Sequence, residues 1–183
     1  MSCILFSISS CNENNGNNST LSQETYEGPS IALEDVEILF SDSAVVKVKL
    51  IAPTQHILEN DDMEFPNGIF LQFYNKEERI ISTLKGNRGF FFNQKNYYRA
   101  EGDVHMINLF TRDELSSEEL IWEPNDEQIK TEKFVTIKTE DEIHTGEGLI
   151  ADQDFVKYKI IKPTGTISIE KENPPSVKAS KAN

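Results

Sequence analysis

The sequence predicts an all-β protein whose strands are antiparallel. About ten to twelve short segments alternate apolar and polar side chains, which is the period-two pattern of a half-buried strand. Turn-forming residues separate these segments at roughly ten-residue spacing, as in sandwiches and barrels. Parallel neighbours would require helical crossovers, which the pattern lacks, so serial hairpins are favoured.

The clearest hairpin spans residues 88–109. A polar break of four residues, 93–96, suits its turn, and the flanking segments alternate. We assign the even-numbered residues of both strands to one apolar face, and the opposite, solvated face includes Arg99 and Asp103. The expected apolar face consists of Phe90, Phe92, Tyr98, Ala100, Gly102, Val104 and Met106.

The remaining elements follow from the same alternation. Strands are predicted before the hairpin at 36–40, 46–50, 69–74 and 80–84. Pro53 is expected to end the second of these, because proline cannot donate to a ladder. Strands are predicted after the hairpin at 119–123, 134–139, 155–161 and 166–170, with a turn at 163–165. The acidic stretch 111–127 is the least strand-like part of the chain.

The composition excludes some partners and sites. Acidic residues number 31 against 18 basic residues, for a net charge of -13. A nucleic-acid partner is therefore not expected, since its affinity comes from neutralising phosphates with Lys and Arg. Cys3 and Cys11 both lie near the N-terminus, so the body of the chain can hold neither a disulfide framework nor a cysteine metal site.

The N-terminal segment is similar to a bacterial lipoprotein signal. Its apolar run is too short to span a bilayer, which needs about 20 residues. Ile8-Ser9-Ser10-Cys11 resembles a lipobox, whose cysteine is lipidated and becomes the mature N-terminus. The alternative is a hydrophobic tail without order. We expect a signal-like segment at 1–11, a flexible tether at 12–28, one β domain at 29–170 and a disordered tail at 171–183.

No motif in the chain indicates a reaction, a metal or a cofactor. His56, His105 and His144 are far apart and show no ligand spacing, which favours solvated histidines. Gly146-Glu147-Gly148 is too weak a signal for a phosphate loop, and no Gly-x-Ser-x-Gly occurs. Among 31 acids, nothing singles out the carboxylate pair of a hydrolase. We therefore expect a non-enzyme without cofactor or metal.

Several motifs, in order and spacing, resemble the LptC family, the periplasmic component of the lipopolysaccharide export machine, and specifically its lipoprotein-type members. The similarity runs from about residue 30 to about residue 169. The matching stretches are 45–52, Phe65-Pro66 before 69–74, 100–104 with its Gly-x-Val, 118–122, 129–131, 135–137, 145–149, Asp154-Phe155 and Gly165. The best-known relatives have an N-terminal transmembrane helix, whereas this chain has at most a lipid anchor.

The resemblance implies a twisted antiparallel β-jellyroll, an open two-sheet sandwich that encloses a groove for acyl chains. Lipopolysaccharide would be taken from an inner-membrane ABC transporter and passed to a second jellyroll relay protein docked edge to edge. The protein would lie in the periplasm, anchored to the inner membrane by a lipid on Cys11.

Two sets of residues carry these expectations. An apolar interior with few polar groups suits lipid tails, and an open sheet edge suits strand addition. The groove candidates are Phe65, Phe73, Phe90, Phe92, Tyr98, Val104, Met106, Val135 and Ile137. The partner edge strand is expected to contain Thr166, Ile167, Ser168 and Ile169.

Three alternatives stay open. Any one groove candidate can simply be a core residue. A membrane-anchored β-sandwich lipoprotein could act as an adhesion or scaffold module without lipid transport. The soluble relay protein of the same export system would share the jellyroll, although the lipobox argues against it.

Overall fold

The computed structural model describes residues 28–169, and most of them lie in one antiparallel sheet of eleven strands. The strands are β1 (Ile31–Asp42), β2 (Val45–Ile57), β3 (Met63–Phe65), β4 (Ile69–Tyr74), β5 (Ile80–Gly86), β6 (Arg88–Phe92), β7 (Tyr97–Asn108), β8 (Glu114–Glu123), β9 (Gln128–Lys138), β10 (Glu142–Asp152) and β11 (Tyr158–Ser168). A single 3-10 turn, Asn93–Lys95, joins β6 to β7. The all-β prediction is confirmed.

The chain runs back and forth as a meander. β2 pairs with β1 on one side and with β3 and β4 on the other, while β4 pairs with β5 and β3 pairs with β6. β3 and β4 are therefore two halves of one pass, interrupted at 66–68, and β5 and β6 are two halves of the next. From β7 to β11 each strand pairs with the one before it. The predicted serial hairpins are confirmed, and β1 and β11 form the two open edges.

The sheet folds over on itself into a jellyroll-like sandwich. Buried residues from β2 to β10 form a single hydrophobic cluster. Phe73 of β4 and Trp122 of β8 are separated by several strands, yet their rings meet edge to face with centroids 5.6 Å apart. Aromatic pairs prefer this geometry. We call the surface that carries this cluster the inner face of the sheet and the opposite surface the outer face.

Pro53 does not end β2, contrary to the sequence prediction. It lies opposite Asp35, whose φ of 51° interrupts the regular pairing of β1. On the other side it lies between the end of the β4 ladder at Ile51 and the start of the β3 ladder at His56. Because Pro53 lies between these two ladders, its missing N–H breaks no observed strand pair.

Several predicted boundaries in the C-terminal half are also wrong, and the strand predicted at 155–161 begins only at Tyr158. The strand predicted at 119–123 is β8, and it begins at Glu114. Residues 114–117 pair with β7 on one side and β9 on the other, and this pairing overrides the acidic composition of the segment. β11 is one strand without the turn predicted at 163–165. Pro163 is tolerated on this edge strand, and it lies opposite Gly146, where a Cβ atom would lie 2.9 Å from Pro163 Cα.

The predictions for the termini lie outside the described residues. These are the signal-like segment with Cys11, the tether up to residue 27 and the tail from residue 171. Within residues 28–169, no helix is long and apolar enough to cross a membrane.

Candidate functional site

The inner face brings together most of the predicted groove residues. Each of them is at most 5% exposed, and the strands that carry them lie on both halves of the folded sheet. Alternation places them there, since every second residue of a strand faces the same side. The predicted residues found on the inner face are Phe65, Phe73, Tyr98, Val104, Met106, Val135 and Ile137.

Phe90 and Phe92 do not join this set, so the expectation that they share a face with Tyr98 is wrong. Phe91 lies opposite Tyr98, and their rings stack with centroids 4.5 Å apart. Phe92 instead lies opposite Tyr97. Because the connection has four residues, the two residues paired next to the turn have numbers that differ by five, one even and one odd. The residues that face inward are therefore odd-numbered in β6 and even-numbered in β7.

On the outer face, Phe90 and Phe92 form a cluster with Arg99. The guanidinium carbon of Arg99 lies 4.9 Å from the centroid of each ring, which is cation–π distance. Arg99 Nε also lies 2.8 Å from Glu101 Oε1, and Arg88 pairs with the other oxygen of the same carboxylate at 3.2 Å. The positive charges of this cluster are thus partly neutralised within it.

An aromatic cluster crosses the interior between the two halves of the sheet. Phe40 of β1 meets Tyr98 and Trp122 edge to face, with centroids 5.4 and 5.2 Å apart. Trp122 also contacts Tyr98 and Phe73. Burial raises the pKa of the Tyr98 hydroxyl far above its usual value, so the ring stays neutral here. Alternation indicated Phe40 and Trp122 as strand residues, but it could not show that they meet.

The loop between β10 and β11, residues 153–157, enters this interior. The Gln153 side chain accepts the Trp122 indole N–H at 3.1 Å, and its backbone carbonyl accepts the Ser82 hydroxyl at 3.1 Å. Asn108 Nδ2 donates to the Asp154 carbonyl at 3.0 Å. Phe155 is fully buried. Sequence reasoning missed this loop because its partners on β5, β7 and β8 are distant in the chain.

Two cavities adjoin the same loop. One of about 480 Å³ is lined by Phe40, Trp122 and Gln153, among others. Another of about 320 Å³ is lined by Phe73, Gln153 and Asp154, among others. Lys47 and Glu127 contribute to both. Gln153 therefore lines two spaces that both reach the aromatic cluster.

A larger cavity, of about 830 Å³, is lined by residues of β8 to β11, including the buried Leu149 of the inner face. Its apolar part includes Ile121, which pairs with Arg99 of the outer face, and Ile150. Register shifts in the β8–β9 and β9–β10 ladders bend the sheet around it. Glutamate and lysine side chains share its lining, so it does not fit a purely apolar chain.

Two histidines of the sheet, His105 and His144, serve as hydrogen-bond partners of their neighbours. His105 lies between Asp103, at 2.8 Å, and the Ser116 hydroxyl, at 3.1 Å. His144 lies 3.1 Å from the Thr166 hydroxyl and 3.3 Å from a Glu142 oxygen. Residues 28–169 contain no group of three or more His, Cys, Asp or Glu side chains arranged to hold a metal.

The predicted partner strand lies at an open edge. Thr166, Ile167 and Ser168 belong to β11, which pairs only with β10 and is exposed along most of its length. Ile169 follows directly and donates its backbone N–H to the Asp141 carbonyl at 2.7 Å. Tyr158, at the start of β11, has its pKa raised by burial and by the charges of Asp113 and Glu142.

The comparison with known families decides the identity. A model of the family described as lipopolysaccharide-assembly, LptC-related, matches residues 3–166. The chain belongs to the LptC family. A comparison with curated proteins found no match.

Membership of the LptC family places this protein in lipopolysaccharide transport, as a transport component associated with the periplasm and the inner membrane. Lipopolysaccharide and the transport complex are its general partners.

Proposed function

We propose that this protein binds the acyl chains of lipopolysaccharide against its inner face. It takes lipopolysaccharide from an inner-membrane ABC transporter and passes it to a second jellyroll relay protein. The observation that carries the proposal is the apolar inner face, which runs from β2 to β10 between two open sheet edges.

The chemistry of the inner face supports a lipid tail over a polar ligand. Apart from Gln55, Ser82, Asn108 and Thr131, the buried residues of the described chain are apolar. Burying an acyl chain there removes roughly 0.8 kcal/mol of unfavourable hydration per CH₂ group. None of the buried residues of the described chain is charged, so the face would hold chains of different lengths without strict selection.

The open edges support the transfer step. A strand at an edge presents unpaired backbone N–H and C=O groups to a partner, and strand addition continues the sheet. If β11 pairs with the edge of a second sandwich, the two inner faces can form one apolar path. The N-terminal side would remain with the membrane through a lipid on Cys11.

A second function, an adhesion or scaffold module without lipid transport, is favoured by one observation. Val104 and Met106 are completely buried, as expected for a closed core. Lipid capture by the inner face decides between these two functions.

The decisive experiment compares adjacent tyrosines of β7 that point to opposite faces. We expect p-azidophenylalanine in place of Tyr98 to crosslink to lipopolysaccharide in cells on illumination. The same residue in place of Tyr97 is the matched control, since it lies on the outer face opposite Phe92. Both changes replace one para-substituted ring with another, so neither should disturb packing strongly.

Phe73 and Phe92 form a second pair for the same experiment, one on each face. Crosslinks at Tyr98 and Phe73 but not at Tyr97 and Phe92 would support a lipid-binding inner face. Folded variants that capture no lipid from either inner position would refute the proposal and favour the scaffold.

A further inference from the structure

The loop that joins β10 to β11 is held across the interior by side chains from three other strands. Ser82 and Asn108 are almost completely buried polar residues, at 0% and 1% exposure, and both donate to backbone carbonyls of this loop. Trp122 donates its indole N–H to Gln153. A buried polar group without a partner is costly, so these donors depend on the loop staying in place.

Phe155, at the inner end of the loop, is buried in a strained backbone conformation. Its φ is 54°, in the left-handed region that bulky residues rarely adopt. Its ring is fully buried and stacks on Tyr158, with centroids 5.2 Å apart. Strain of this kind persists only when the surroundings impose it, and it is released when the segment moves.

The same loop lines the two cavities beside the aromatic cluster. Gln153 lines both, and the two cavities share Lys47 and Glu127 as well. Moving Gln153 away would enlarge both cavities, which together reach Phe40, Phe73 and Trp122. With Phe155 withdrawn too, the enlarged space would extend into the buried cluster.

We propose that residues 153–157 form a plug that closes the inner face when no lipid is bound and is displaced by incoming acyl chains. This inference rests on the proposed function and adds its regulation. The apolar surface that Phe155 leaves is covered again by the chain that replaces it, so displacement exposes little apolar surface to water. A protein that waits in the periplasm without cargo thereby keeps its lipid-binding face covered.

Covalent locking tests the plug directly. Lys76 and Asp154 line the same cavity, one on the turn after β4 and the other on the loop. Lys76→Cys and Asp154→Cys, in the full chain with Cys3 and Cys11 replaced by serine, can be joined by a short bismaleimide. We expect this link to weaken binding of fluorescent lipopolysaccharide about tenfold or more, because the open state is no longer populated.

The matched control link joins Ile150→Cys to Lys159→Cys. These residues pair across β10 and β11, so the link leaves the loop free to move. It should not change lipopolysaccharide binding. Equal binding by the locked, control-linked and unlinked proteins would overturn the plug and leave the proposed function standing.

Releasing the plug should have the opposite effect. Phe155→Gly removes the ring and relieves the positive φ, and we expect apparent affinity for lipopolysaccharide to rise about tenfold, since the binding-competent state is no longer rare. Ser82→Ala removes one hydrogen bond to the loop, and it should raise the affinity for lipopolysaccharide by less than Phe155→Gly does. This second variant tests the plug if Phe155→Gly does not fold.

Failure of the plug and failure of the proposed function give different results. Folded variants that bind no more tightly than the wild type would contradict the plug. If the unlinked wild type, the locked protein and the released variants all fail to bind lipopolysaccharide, the proposed function itself is wrong.

Discussion

At the scale of single residues, Phe65 and Phe92 show how the two faces of the sheet differ. Phe65 is completely buried between the halves of the sandwich. It lies so close to β6 that a Cβ atom at Gly89 would come within 3.1 Å of its ring. Phe92 is only half-buried, against Tyr97 and Arg99 on the outer face.

We predict that Phe65→Ala lowers the free energy of unfolding by about 3–5 kcal/mol, as expected when a large buried ring leaves a cavity. Phe92→Ala should cost only about 1–2 kcal/mol, since it loses two ring stacks on the outer face and one cation–π contact. Urea unfolding followed by circular dichroism measures both. Equal losses would contradict the assignment of Phe92 to the outer face.

The assignment of Phe90 and Phe92 could not be made from alternation alone. Within each strand, alternation correctly separated Arg99 from Tyr98 and Val104. Across the turn, the phase depends on how many residues the connection contains and on which residues pair. Asn96 takes the left-handed conformation that closes the turn, a property that the sequence allows but does not require.

At the scale of elements, the C-terminal edge has a backbone geometry suited to docking. Ile169 donates its N–H to Asp141, directly before β10, so the N–H of Ser168, one residue earlier in the chain, points away from the sheet. A substitution at Ser168 can therefore change the open edge without removing a hydrogen bond to β10.

We predict that Ser168→Pro reduces capture of the jellyroll relay protein, because proline removes this outward donor. Ser168→Ala is the matched control, since it keeps the donor and loses the same side chain. Pull-down from the periplasm measures capture, and a thermal melt checks folding. A folded proline variant that captures as well as the alanine variant would place docking at another surface.

The elements differ in how well the sequence predicted them. The strands β4 and β7 alternate cleanly and were predicted well, whereas β8 was predicted five residues too short. Its acidic residues alternate with Leu115, Leu120 and Trp122, which face inward. Pairing on both sides stabilises a strand of that composition, and such pairing is a property of the fold rather than of the segment.

At the scale of the whole molecule, the fold class could be predicted because it depends on local alternation and short connections. The contacts that close the interior could not be predicted from the sequence. Ser82 and Gln153 are 71 residues apart, and no periodicity links them. The interior of the candidate site, with its loop and its two cavities, therefore emerges only from the folded chain.

A prediction for the whole molecule concerns the anchor. Cys11→Ala should leave a cooperatively folded domain that no longer sediments with membranes, because the acyl chains of the proposed anchor would be absent. Fractionation of the native host and acyl labelling measure this. A wild type that takes up no label, together with a variant that still sediments, would refute the lipid anchor.

The meander also has a consequence for the way the chain acquires its structure. Because each pass pairs with the one before it, hairpins can form in sequence as the polypeptide emerges from a secretion channel. Such pairings close short loops, which is faster than bringing distant segments together. The hydrogen bond from Ser82 to Gln153 must wait until β10 is complete. The interior is thus closed last, after the strands that surround it are in place.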